Sequence, residues 1–322
     1  MEYVTLGRTG LRVSVGGLGC GGFSQLGLAQ GKTEDDAIAI IHQAVDLGVN
    51  LFDTAAAYGT EAVLGRAIKS VHREQVVITT KAPFSFSNPH STPEGIGASL
   101  DKSLRQLDTS YVDVYQLHGV PPNAYDHALN ELAPVLLREK EKGKLRYLGI
   151  TETAPHDPEH QTVRRAAQDE VWDVVMVGFH MMHQNARERV FPLTRANRIG
   201  TLLMFAVRKI FSRPELLRMT IRDLAAAGEL PRWLTEAADP LGFLLHESGA
   251  STIPDAAYRF VRHEPGVDVV LFGTGDPEHL RANILSILKP PLPESDRAQL
   301  AALFGHLVGV GLDAPHLSRP RR

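Results

Sequence analysis

Leu51-Phe52-Asp53-Thr54-Ala55-Ala56-Ala57-Tyr58-Gly59 is the stretch from which the rest of the chain is read. Val49-Asn50-Leu51-Phe52 reads as a short buried strand, so Asp53 falls at its C-terminal end and Tyr58 on the loop that follows. In a barrel of parallel strands, that end is where reactive side chains collect. The reading therefore demands polar groups at the ends of the next strands, and two are present. Gln75-Val76-Val77-Ile78-Thr79-Thr80 is rich in β-branched residues and ends at Lys81. Tyr111 to Leu117 is a further strand pattern and ends at His118.

The rest of the chain repeats this rhythm. Tyr3 to Leu6 and Leu11 to Ser14 flank Gly7 and Gly10 as an N-terminal hairpin, and Val15 to Leu18 is the first barrel strand. The glycine-rich run from Gly16 to Gly22 is not followed at once by a helix. It reads as close backbone approach at the barrel mouth and not as a phosphate loop. Thr33 with Asp36 three residues on caps a helix whose apolar face is Ala37, Ile40, Ile41, Ala44 and Val45. Helical patterns follow at Glu61–Ile68, at Thr92–Leu107 with Pro93 in its first turn, and at Leu129–Lys142, stopped by Gly143.

Leu145–Ile150, Val171–Phe179, Gly200–Ala206 and Val269–Phe272 supply strands five to eight, and Pro158–Gln168, Glu188–Arg195 and Pro277–Leu288 supply helices. Eight strands alternating with helices specify one (β/α)8 TIM barrel, with the whole of 1–322 as a single domain. Two intervals break the alternation. Residues 207–253 carry helical patterns at Pro214–Ala227 and Trp233–Leu245, and a C-terminal extension carries another at Ser295–Leu307. Long additions at this end of a barrel build substrate pockets.

Hydrophobic residues at 43% and charged residues at 22%, with a net charge of −3 and no basic stripe, give no footprint for nucleic acid. The Arg319-Pro320-Arg321-Arg322 tail reads as a solvated end. Cys20 is the only cysteine, which excludes an internal disulfide and any cysteine-cluster metal site, so a small buried thiol is expected. The first residues lack the basic and apolar regions of a signal peptide, and no apolar run approaches the ~18 residues of a membrane span. The expected location is the cytoplasm.

Asp53, Tyr58, Lys81 and His118 together make a plausible acid/base site. A phenol has an ordinary pKa near 10, which a neighbouring ammonium lowers, while a buried carboxylate keeps that ammonium charged. Tyr58 then protonates a carbonyl oxygen as hydride reaches the carbon, or accepts the proton in reverse, with His118 hydrogen-bonded to the same oxygen. The four residues, in this order at these strand ends, resemble the Asp, Tyr, Lys, His tetrad of the aldo-keto reductase family. That resemblance implies that the hairpin plugs the bottom of the barrel. It also implies a nicotinamide cofactor lying across the top and a small carbonyl or alcohol substrate.

The cofactor contacts of that family carry over less evenly. Its Ser-Asn pair after strand five aligns with Thr151-Glu152, and its glutamine in strand six aligns with Met176. The aromatic residue that stacks on nicotinamide is Phe205, with Met204 as a second candidate. Gly273-Thr274-Gly275 and the following helix resemble the segment for the adenosine phosphate end, with Thr274 and Asn283 at its contact positions. The family's basic residues are replaced here by Gly273 and His279, and Asp276 adds a negative charge. NADP(H) is the family expectation, and NAD(H) competes with it.

Two other readings use the same residues. A metal-dependent barrel would draw on Asp53, His118, Glu152, His180 and His183, but it leaves Tyr58 unexplained and places the Lys81 ammonium beside a cation; no metal is expected. A regulatory barrel that binds cofactor without turnover fits the altered Thr151-Glu152 and Met176 positions, although it gives no reason for a complete tetrad.

Overall fold

The computed structural model describes residues 1–84 and 91–313; the basic tail at 319–322 lies outside them. Ten strands lie among the described residues. β1 (Tyr3–Thr5) and β2 (Arg12–Ser14) pair antiparallel, with Tyr3 opposite Ser14. β3 (Gly16–Gly19), β4 (Leu51–Asp53), β5 (Val77–Pro83), β6 (Val112–Val120), β7 (Leu145–Glu152), β8 (Val174–Gly178), β9 (Gly200–Met204) and β10 (Val269–Phe272) run parallel and close in chain order, β10 pairing with β3. This is the expected (β/α)8 barrel.

Local chemistry sets the helices between the strands. Thr33 and Asp36 form a reciprocal capping box, each side chain accepting from the other's amide, and the helix Glu34–Asp46 buries Ala37, Ile40, Ile41 and Ala44. The Thr92 hydroxyl accepts from the Gly95 amide at 3.0 Å, and Pro93–Leu107 buries Ile96, Leu100, Leu104 and Leu107. These faces cover the outside of the sheet.

The inside is filled from below. Leu6, Leu11 and Val13 of the hairpin pack with Leu51, Val77, Val114, Val174, Met176, Leu202 and Val269 from the barrel strands. Gly7, at φ +48°, lies so close to β9 that a Cβ would stand 2.2 Å from the Gly200 nitrogen, so only glycine fits there. Arg8 donates to the Trp172 carbonyl at 2.9 Å and fastens the turn. The N-terminal end is thus plugged, and polar side chains gather at the opposite end.

One carboxyl at the plugged end is tuned by this packing. Asp268 accepts from the Thr201 amide at 2.9 Å and from the Gly7 backbone, yet burial dominates and pushes it up to about 6. A raised carboxyl contributes stability that is present below its unfolded value and lost as pH climbs through the folded one. Asp268→Asn is therefore expected to flatten the fall in stability between about pH 4 and 6, read by urea unfolding across that window. An unchanged slope would locate the pH dependence elsewhere.

Several boundaries differ from the sequence expectation. β5 continues through Lys81 to Pro83 and β6 through His118 to Val120, so both residues lie within strands. β9 stops at Met204, and Phe205 follows with φ +75°, a left-handed backbone that ends the strand. A further helix, at Ile253–Arg262, lies between the long interval and β10 and was not among the expected elements. Proline is tolerated in the first turn, and Thr252 caps it by accepting from the Asp255 amide at 3.1 Å. The long interval carries helices at Lys209–Ser212, Pro214–Ala226 and Trp233–Glu236, and the C-terminal helix spans Glu294–Phe304. Among the described residues no helix is long and apolar enough to cross a membrane.

Candidate active site

Neighbouring strands bring Asp53, Tyr58, Lys81 and His118 together. Asp53 ends β4 directly opposite Thr79 of β5, and Pro83 of β5 faces His118 of β6. The Lys81 ammonium donates to both Asp53 oxygens, at 2.6 and 2.7 Å, and to the Thr54 carbonyl at 2.8 Å. Its three hydrogens are all used, which is the condition under which a fully buried ammonium is tolerated. Gln116 donates to the Thr79 hydroxyl at 2.6 Å, and Thr79 in turn to Asp53 at 3.4 Å, so the carboxylate is steered from both sides.

Tyr58 ends a short helical turn at Ala56–Tyr58, and its hydroxyl lies 3.4 Å from Nε2 of His118, with the rings edge to face at 5.4 Å. Lys81 Nζ stands 5.1 Å from the centre of the Tyr58 ring and acts on it by charge. The expected lowering of the phenol is not the net result. Burial pushes Tyr58 up and outweighs the downward pull of Lys81, while Asp53 adds to the rise. Lys81 itself loses to burial but gains more from Asp53 and Tyr58, so it is held charged.

The glycine-rich run behaves as close backbone approach. A Cβ on Gly21 would meet Cδ2 and Cε2 of Tyr58 at 2.5 Å, so this glycine lies against the phenol ring. Gly21→Ala is expected to displace the ring, lowering kcat by tenfold or more while global stability changes by about 1 kcal/mol. Steady-state kinetics beside urea unfolding check this; unchanged kcat would show that the ring has room to move.

The residues aligned with cofactor contacts occupy three places. Thr151, buried at the top of β7, accepts from the Gly119 amide at 2.7 Å and keeps its own hydrogen to donate. Glu152 faces into the wall, with one oxygen 2.9 Å from His160 Nδ1 and the other accepting from the Gly178 amide at 2.8 Å. Both oxygens are engaged, and a carboxylate has no proton to donate to a carboxamide oxygen. Met176 is buried in the barrel-interior cluster, where a thioether offers no proton. Phe205 lies over the end of β8, with Cδ2 3.3 Å from the place of a Cβ on Gly178.

At the third place, Gly273, Thr274 and Gly275 follow β10. A Cβ on Gly275 would come within 2.3 Å of the Gly27 backbone, so the loop after β3 is seated directly on this turn. Asp276 caps Pro277–Leu288, accepting from the Glu278 and His279 amides at 2.8 and 3.0 Å, and those amides hold its carboxyl below the usual range. His279 is exposed and Asn283 half-buried on that helix. Residues not anticipated also contribute. Lys32 donates to the Gly275 carbonyl at 2.6 Å, and His160 joins Glu152 to Asn185, whose Oδ1 is 2.9 Å from His160 Nε2. No spacing in the sequence marks either, because their partners are distant along the chain.

The sequence profile of the Aldo/keto reductase family matches residues 17–304. The chain belongs to this family of oxidoreductases. It is 28% identical to the aldo-keto reductase YhdN of Bacillus subtilis over 338 aligned positions, covering 100% of this chain and 99% of that protein. A stretch of 157 residues, 47% of this chain and 48% of the relative, is 36% identical to L-galactose dehydrogenase of Arabidopsis thaliana. Among solved structures, the holo form of a Bacillus halodurans aldo-keto reductase superposes with TM-score 0.71 at 22% identity, covering 94% of this chain and 96% of the other. A Klebsiella pneumoniae aldo/keto reductase, solved with NADP and acetate, gives 0.67 at 23% identity over 94% and 95% of the two chains. These two likenesses establish the shared barrel.

The family assignment gives the open end a cofactor to be tested against the residues present. Gly19, Gly21 and Gly273 keep the backbone bare there: a Cβ on Gly273 would stand 3.1 Å from the Gly19 oxygen. Thr151 and Phe205 suit an amide and an aromatic ring. Glu152 and Met176 do not replace the family's amides.

Proposed function

We propose that this chain is an NAD(P)(H)-dependent oxidoreductase that interconverts a carbonyl and an alcohol on a small molecule, with Tyr58 as the general acid and base. The observation that carries the reading is the Tyr58 hydroxyl beside His118 Nε2, above an ammonium fully held by Asp53 and Thr54. A bound nicotinamide supplies or accepts the hydride. Tyr58 gives its proton to the carbonyl oxygen during reduction and takes it back during oxidation. His118 fixes that oxygen at hydrogen-bond distance, and Lys81 stabilises the tyrosinate left behind.

Thr151 would hold the carboxamide and Phe205 the ring face, while the Gly273–Gly275 turn and the Thr274, His279 and Asn283 side chains would meet the adenosine end. The Klebsiella complex supports NADP(H) for this role. Asp276 supports NAD(H), because its carboxylate already occupies the helix amides and repels a further phosphate. Metal chemistry at this centre has no support from Asp53, whose two oxygens both receive Lys81.

Titration of the purified chain with NADPH and NADH by tryptophan quenching, followed by a panel of aldehydes, ketones, sugars and alcohols, tests the proposal. Binding of either nucleotide with turnover of some panel member is the expected result. Binding without turnover would make this a regulatory barrel, and no binding would end the nicotinamide reading.

A further inference from the structure

Arg208 stands three residues past Phe205 on the rim of the mouth and is only 8% exposed. Its guanidinium lies 4.1 Å from the centre of the Phe205 ring and 5.1 Å from that of Phe23, and Lys209 Nζ lies 4.1 Å from the centre of the same Phe23 ring. Phe23 belongs to the loop whose Gly21 touches Tyr58, so this cation borders the reacting end. Its partners are few for a buried charge. One nitrogen, Nη2, reaches Asp313 Oδ2 at 3.3 Å, and Nε has no partner among the described residues. A guanidinium offers five hydrogens in a planar fork and prefers two parallel bonds to an oxyanion. Burial and the Arg208 charge push the His180 imidazole down to about 3, so it adds no second positive charge there.

The C-terminal segment that carries Asp313 is laid across this rim. The Gly309 amide donates to His183 Nδ1 at 3.1 Å, and a Cβ on Gly311 would meet Ile210 at 3.0 Å and His180 at 3.3 Å. The carboxylate of Asp313 therefore arrives at Arg208 on a segment that has its own anchors, and it makes a single, long bond there.

We propose that Arg208 is an oxyanion-binding group of the mouth, and that Asp313 occupies its place until the oxyanion of a ligand displaces it. The ligand oxyanion is either a diphosphate of the nucleotide or a carboxylate on the substrate, and the choice of source rests on the function proposed above. A phosphate or carboxylate takes Nε and Nη2 together, making the two parallel bonds that Asp313 does not. The two residues then act in opposite senses: Arg208 attracts the ligand and Asp313 competes with it.

Opposed signs make the test decisive. Isothermal titration with inorganic pyrophosphate, which requires neither nicotinamide nor turnover, is run on the wild type, Arg208→Met and Asp313→Asn. Methionine keeps contact with Phe205 without the charge. Binding is expected to weaken about tenfold or more in Arg208→Met and to tighten several-fold in Asp313→Asn. No pyrophosphate binding by the wild type, equal binding by all three proteins, or weakening in both variants would overturn the proposal, the last marking Arg208 and Asp313 as a structural clamp. The same pair of signs in NADPH or NADH affinity identifies the nucleotide as the source. The same signs in KM for 4-carboxybenzaldehyde, but not for benzaldehyde, identify a substrate carboxylate.

Discussion

Tyr58→Phe is expected to abolish measurable turnover while leaving nucleotide binding within a few-fold of wild type. The substitution removes one hydroxyl and preserves the ring, so the edge-to-face contact with His118 and the close approach of Gly21 survive. A positioned general acid or base is worth about 10²–10⁴ in rate, and in the proposed mechanism the same group serves both directions. Steady-state rates of reduction and oxidation, with a fluorescence titration on the same preparation, separate the two effects. Retained activity would remove Tyr58 from the chemistry. Because burial holds the phenol above its ordinary value, wild-type reduction should persist to alkaline pH and oxidation should rise with pH as the base form appears.

Lys81→Met is the second large expectation, and its first effect is on stability. The variant leaves Asp53 buried, with both oxygens and the Thr54 carbonyl deprived of their shared donor. Breaking a buried pair from one side costs about 3–5 kcal/mol, since the remaining charge is uncompensated. The double variant Lys81→Met with Asp53→Leu should recover much of that loss, because an apolar pair of similar volume needs no partner. Urea unfolding of the three proteins measures the coupling; equal losses in single and double variants would show that packing and not charge is responsible. Turnover should fall in both, as tyrosinate loses its ammonium. Since the lysine is held above its ordinary value, its own contribution is intact below the unfolded lysine value and declines only as pH climbs through the folded one.

The barrel and its four polar residues were legible because each depends on local pattern. Asp53 ends an apolar run, and Lys81 and His118 end β-rich runs, so counting strands places all three on one rim. The exact strand ends were not legible: β5 and β6 continue past those residues because both strands keep pairing beyond the apolar part. The sign of the Tyr58 shift was also hidden, since it depends on how deeply the ring is enclosed by Gly21 and its neighbours. Glu152 was read as lying just after its strand, whereas β7 runs through it, and its engagement with His160 and the Gly178 amide was not legible. Its partner His160 adopts a left-handed backbone at φ +57°, which no residue pattern announces. Met176 aligned with a polar contact and instead packs in the interior with the hairpin.

The two tryptophans divide the molecule optically. Trp172 is fully buried, its indole donating to the Tyr125 hydroxyl at 3.0 Å and its carbonyl receiving Arg8 at the plugged end. Trp233 is 51% exposed on the long excursion that follows β9. Their emission therefore separates into a blue component, shielded from iodide and lost only when the barrel opens, and a red, quenchable component that senses the excursion. Unfolding and rim motion are recorded in one spectrum, without any introduced label.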